Sequence, residues 1–202
     1  MIGNMQSFQS FLTESKFSGT VYHGSGTRFD EFDQGKARIA NDFYGGGVAY
    51  FTDNLKVGIQ YAKSMSKKTG TPFVYTCQLK IKKLFDVDDV FTGDDLKQIL
   101  PPNLEDFARG AGLMKFDTDK FKMLGDLKAG KLKLSGDQVF KGLSKGMNQT
   151  AKARDYLISK GYDGLRYNGG LNMNMATKHN VYLVYKASDI TILKRQKVKP
   201  KS

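Results

Sequence analysis

Three short segments carry side chains that could do chemistry: Tyr22-His23-Gly24-Ser25, then Ala49-Tyr50-Phe51-Thr52-Asp53-Asn54, then Tyr61. Tyr50 and Tyr61 lie eleven residues apart. Together they offer an imidazole for hydrogen bonding and two aromatic faces on which a flat ring can stack. Taken singly, each has a structural reading, a satisfied histidine at a strand end and two core aromatics. Other chemistries are poorly provided for. The chain has 1 Cys, Cys77, and 2 His, His23 and His179, so no disulfide can close and a structural zinc site has too few ligands. No G-x-G-x-x-G precedes a helix, so a redox site for a dinucleotide is not expected.

The elements that must position these residues follow from pattern. Thr20 to His23 reads as a short strand ended by Gly24-Ser25-Gly26, and Val48 to Thr52 as another, entered from Gly45-Gly46-Gly47. Asp53 or Asn54 caps a helix in which Leu55, Ile59, Ala62 and Met65 recur at three- and four-residue spacing, and Tyr61 lies on it. Residues 73–81 alternate Phe73, Tyr75, Cys77, Leu79, Ile81 with Val74, Thr76, Gln78, Lys80, the signature of a strand with one better-buried face. Residues 86–150 mix acidic turns, Pro101-Pro102 and short amphipathic pieces and read as a mostly helical insertion. A helix from Ala151 to Lys160, stopped at Gly161, precedes strands at 165–167, 181–185 and 190–193. The mixed order predicts an α+β domain.

These residues resemble the ADP-ribosyltransferase superfamily in its diphtheria-toxin and poly(ADP-ribose) polymerase branch, whose motifs are a strand-end His-Gly-Ser/Thr, a Tyr-Phe pair and a second Tyr eleven residues after the first. Phe29, Phe32 and Asp33 extend the likeness, and Gly161-Tyr162-Asp163-Gly164 resembles the phage and plasmid members. The likeness covers residues 20–81 and 151–193. It implies a split mixed sheet and NAD used as a glycosyl donor. It also implies a site of His23, Gly24, Ser25, Tyr50 and Tyr61, with His23 and Tyr50 as its catalytic members. His23 would hydrogen-bond the ribose next to adenine, the Gly24 backbone would fix the nicotinamide amide with help from Ser25, and Tyr50 and Tyr61 would sandwich the nicotinamide ring. Phe29, Phe32 and Phe51 remain core residues. No metal is implied.

One motif departs from the pattern. Most active members place a glutamate at the start of the last motif strand, and the aligned position here is Val181. The chain has three glutamates, Glu14, Glu31 and Glu105, none near that strand. Asn180 alternates to the opposite face, and His179, on the face of Val181, reads as a strand-edge residue at solvent. Asp42 or Glu31 could supply an acid, though nothing in their spacing supports it. The resemblance therefore implies a mono-ADP-ribosyltransferase, which cannot extend a chain, or a domain of this fold that has no catalysis. An RNA 2'-phosphotransferase on the same fold is a weaker reading, because no arginine set stands beside His23.

The chain ends and the charge bear on partners. Met5 to Glu14 resembles the capsid-targeting peptides of internal head proteins in T-even-type bacteriophages, with Leu12-Thr13-Glu14 directing cleavage after Glu14 by a prohead protease. An ordinary amphipathic first helix fits the same residues. The domain boundaries expected are thus 1–14 for the peptide, 15–193 for the domain and 194–202 for a basic tail. With 202 residues, 40% hydrophobic and 12% aromatic, the chain can bury a single core. The formal charge of +12 makes contact with packaged DNA plausible, although dispersed lysines also read as a solvated surface. No apolar run is long enough for a membrane helix. The expected setting is a phage head, then the host cytoplasm, where the partners would be NAD and a host acceptor, a protein. The alternative is an internal head protein that keeps the fold without catalysis and binds DNA or capsid.

Overall fold

The computed structural model describes residues 17–33, 44–114, 119–146, 149–169 and 177–199. The 1–14 peptide, its cleavage point and Asp42 lie outside them. Among the described residues nine strands and six α-helices follow in the order β1 (Phe17–Ser25), β2 (Ala49–Thr52), α1 (Leu55–Thr69), β3 (Phe73–Ile81), β4 (Leu84–Asp86), β5 (Val90–Phe91), α2 (Gly93–Ile99), α3 (Leu104–Gly110), α4 (Lys120–Lys128), β6 (Leu134–Ser135), α5 (Gly136–Gly146), α6 (Thr150–Ser159), β7 (Gly164–Asn168), β8 (Asn180–Val184) and β9 (Ile190–Lys197). This is the α+β class that the mixed pattern predicts.

Seven strands form one sheet in the order β4-β7-β8-β2-β1-β3-β9. The pair β4–β7 is parallel and its other neighbours are antiparallel. The ladder is uneven. β1 pairs with β3 along its whole length, from Phe17 with Ile81 to Ser25 with Phe73. β1 meets β2 at the single register pair Tyr22–Thr52. The sheet is therefore split at that seam into β4-β7-β8-β2 and β1-β3-β9.

Alternation along the strands sends side chains to two cores. Val21, Phe51, Tyr75, Cys77, Leu79 and Tyr182 cluster on one face, where Phe17 stacks on Tyr182 with ring centroids 4.3 Å apart. Leu165 and Leu183 on the other face join the core of the insertion, built from Leu96, Ile99, Phe107, Leu127, Phe140 and Leu143. The insertion is helical as expected, with a two-stranded sheet, β5–β6, added. Its first expected residue, Asp86, belongs to β4 in the main sheet, where it pairs with Arg166 by register and by salt bridge.

At the C-terminal end, Lys194, Arg195 and Lys197 lie in β9 and not in a basic tail. Charge on an exposed edge strand hides the apolar alternation that would have extended the sequence expectation past Leu193. The short strand expected at Thr20 begins earlier, at Phe17, for the complementary reason that β3 offers a full-length partner.

Candidate functional site

Helix α1 decides the shape of the seam. Asn54 is its cap, and its side chain accepts from the backbone N–H of Lys56 at 3.0 Å and of Val57 at 3.4 Å. Asp53, the alternative cap, does something else. Its carboxylate accepts from the Asn180 backbone at 3.0 Å and from Asn180 Nδ2 at 2.7 Å, which ties the end of β2 to the start of β8. From this anchored start α1 runs back over the sheet face that carries Tyr22, Gly24, Thr52 and Val74.

Two glycines set how close the helix lies. A Cβ on Gly24 would stand 2.3 Å from Gly58 O, 2.4 Å from Ala62 N and 2.8 Å from Tyr61 Cβ. A Cβ on Gly58 would stand 2.9 Å from Tyr22 Cβ. Gly24 thus brings Tyr61 down onto the end of β1. Gly58 is a residue that motif reasoning missed, and its signal was a lone glycine inside a helical pattern. Tyr50 shares this face with Thr52 by alternation, and both Tyr50 and Tyr61 are half-buried. So Gly24, Tyr50 and Tyr61 are gathered on one face, at the seam.

His23 alternates to the other face, yet it reaches across the seam. Its Nδ1 lies 2.8 Å from the Tyr50 carbonyl oxygen. A carbonyl only accepts, so Nδ1 carries the proton and Nε2 is left as an acceptor. The ring sits among Phe32, Phe51, Phe29 and Tyr75, with centroids 5.2 to 6.1 Å away. Burial in these aromatics lowers its pKa from 6.5 to about 4, so the imidazole is neutral at physiological pH. Because the native pKa is the lower one, the unfolded chain binds the proton first as pH falls. Stability from this group is complete above about 6.5 and is lost progressively toward about 4, by at most about 3 kcal/mol. Urea midpoints measured across that window should fall on acidification, and His23→Gln should flatten the slope.

The remaining expected residues are placed as follows. Ser25 turns toward its own loop, its Oγ accepting from the Thr27 backbone N–H at 3.2 Å. Phe51 is buried, and Phe29 and Phe32 are half-buried against the same core, as core aromatics should be. The Phe29 backbone N–H donates to the Tyr75 hydroxyl at 2.7 Å, which pins the loop after β1. Glu31 is exposed in that loop, so no buried acid comes from it.

Val181 pairs by register with Thr52 on one side and Tyr167 on the other, and is 4% exposed. It therefore stands on the face of Tyr50, two residues farther along, and presents an isopropyl group where a carboxylate would face the seam. His179 is not at solvent: it is 5% exposed. The Gly169 backbone N–H bonds His179 O at 2.9 Å, extending the β7–β8 ladder by one residue, and Gly169 has no side chain to keep the ring out. His179 Nδ1 lies 2.9 Å from Thr177 O, and its Nε2 finds no hydrogen-bond partner among the described residues. Among the described residues no group of three His, Cys, Asp or Glu side chains could hold a metal, and no helix is long and apolar enough to cross a membrane.

No curated protein and no solved structure matches the chain. A family model described as ADP-ribosyltransferase in polyvalent proteins matches residues 19–195, from within β1 to within β9 and through the helical insertion. A split sheet, a strand-end histidine braced across the split, and a helix that lowers a tyrosine onto the same seam are what that match covers: the chain belongs to the ADP-ribosyltransferase family of polyvalent proteins.

Proposed function

We propose that this domain transfers a single ADP-ribosyl group from NAD to a host macromolecule. One observation carries the reading: Gly24, Tyr50 and Tyr61 share a face at the seam while His23 bonds the Tyr50 backbone across it. The donor set fits NAD. Two half-buried tyrosines offer stacking surface, and a neutral imidazole with its Nε2 lone pair directed away from the Tyr50 carbonyl can accept from a sugar hydroxyl. When bound, NAD supplies an ADP-ribosyl carbon whose bond to a positively charged nicotinamide breaks as the acceptor attaches.

The chain's own residues do the positioning. His23 Nε2 accepts from the ribose next to adenine, the Gly24 backbone holds the nicotinamide amide with Ser25 beside it, and Tyr50 and Tyr61 close on the two faces of the ring. Holding donor and acceptor in reacting geometry is itself a large part of such catalysis. With Val181 at the aligned position, the chain contributes no carboxylate there, which favours attachment of one unit over chain extension and leaves activation of the acceptor to the acceptor's own groups.

The resemblance of Met5 to Glu14 to a capsid-targeting peptide supports a place inside a phage head and delivery with the genome into the host cytoplasm. Virion copies should then begin at Ser15. Incubating the chain from Ser15 with labelled NAD and a bacterial lysate tests the activity. Label on a discrete band supports a transferase and identifies its acceptor. The buried apolar Val181 favours a second reading, a head protein that keeps the fold without catalysis, and the absence of label with NAD binding also absent would establish that reading in place of the first.

A further inference from the structure

The sequence gathers part of the net charge of +12 at 194–202, and the structure shows what some of it stands beside. At the outer edge of the sheet a groove of about 410 Å³ is lined by Arg28, Phe73, Ile192, Leu193, Lys194 and Arg195. Basic residues on an edge strand have a sufficient structural role, since they keep the unpaired edge from joining another sheet. That role covers Lys194 and Lys197. It does not cover Arg28, which comes from the loop after β1 and turns onto the same groove.

The two walls are fastened together. Arg195 donates to the Asp30 backbone carbonyl at 2.6 Å and lies 3.4 Å from its carboxylate, so the loop carrying Arg28 is stapled to β9. Arg28 and Lys194 make no ion pair among the described residues, and both are exposed. Among the cations stand half-buried Phe73 and Ile192, with Leu193 57% exposed. A mainly polar groove in which cations stand beside one aromatic ring and two aliphatic side chains suits a chain that alternates phosphates with flat bases. Its size is that of a nucleotide-scale site.

We infer that this groove binds single-stranded nucleic acid, with Arg28, Lys194 and Arg195 on the phosphates and a base against Phe73 and Leu193. Ser25 pairs with Phe73 in the β1–β3 register, so a strand in the groove lies beside the end of β1 that carries the candidate donor site. Binding there needs no transfer activity and shares no residue with His23, Tyr50 or Tyr61.

The test is fluorescence anisotropy of a labelled 12-nucleotide oligo(dT) with the full chain between 50 and 300 mM salt. Arg28→Ala with Lys194→Ala should weaken binding at least tenfold and reduce the salt slope by about 1.4, or 0.7 per lost phosphate contact. Lys122→Ala with Lys128→Ala, on exposed positions of α4, removes the same charge and should leave affinity within twofold. Tyr61→Ala should bind the oligonucleotide as the unmodified chain does, whatever happens to transfer. Equal weakening by the α4 pair would show diffuse charge in place of a site and overturn the inference. So would displacement of the oligonucleotide by millimolar NAD, which would make the groove part of the donor site, or displacement by an acidic peptide of equal charge at equal concentration. A chain that fails to bind the oligonucleotide at 50 mM salt overturns it outright.

Discussion

Replacement of Tyr61 by alanine should remove labelled transfer and weaken NAD binding on the order of 100-fold. The magnitude follows from two contributions, about 1 kcal/mol for ring stacking and about 2 kcal/mol for the apolar ring surface that a bound nicotinamide would cover. The seat of α1 should survive the change, because Tyr61 is half-buried and it is the backbone of Gly58 and Ala62 that lies nearest Gly24. Tyr61→Phe keeps the ring and should keep most of the affinity, which separates stacking from the hydroxyl. Isothermal titration with NAD, run beside the labelling reaction, reads both quantities. Unchanged labelling by Tyr61→Ala would sink the proposed site.

Gly24→Ala should be the most destabilising single change near the seam, by about 3 kcal/mol, or roughly 6–12 °C in melting temperature for a chain of this size. The added methyl meets Gly58 O and Ala62 N at 2.3 and 2.4 Å, and both are helix backbone that no rotamer change can move aside. Gly58→Ala offers a graded comparison. Its methyl meets the Tyr22 Cβ at 2.9 Å, a milder overlap, and alanine's better helix propensity returns up to about 1 kcal/mol. Gly24→Ala must also lift Tyr61 away from β1, so NAD affinity should fall with it, whereas the groove beside β9 should keep its oligonucleotide. A melting temperature within 2 °C of the unmodified chain would show that α1 is not seated on Gly24 as described.

How much of this was legible in the residues depends on what each element packs against. The strand over 73–81 was read to the residue, because one face is core and alternation survives intact. The start of α1 was read within a residue because capping is a local interaction. The Tyr50 and Tyr61 pair was visible as spacing, and the split sheet that brings it beside His23 was legible only through the family resemblance, since a single register pair between β1 and β2 leaves no mark in composition. The burial of His179 depends on Gly169, ten residues earlier on the neighbouring strand, and that is a tertiary fact. Helices of 7 to 11 residues in the insertion were legible only as a class, because so few turns cannot establish a period. The charges of β9 concealed only its continuation past Leu193, from Lys194 to Lys197, which the register with β3 makes plain.

The seam has a mechanical side. On the face of Phe51, Tyr75 and Tyr182 the two half-sheets share one aromatic core, and on the opposite face α1 lies across the gap, over Tyr22, Thr52 and Val74. That is the construction of a book, with a spine of packed rings and an opening on the tyrosine side. The packed rings lie behind that opening, and the His23–Tyr50 bond crosses the seam beside them. A flat guest entering between the tyrosines would therefore act as a wedge whose grip is set by the stiffness of the binding behind it.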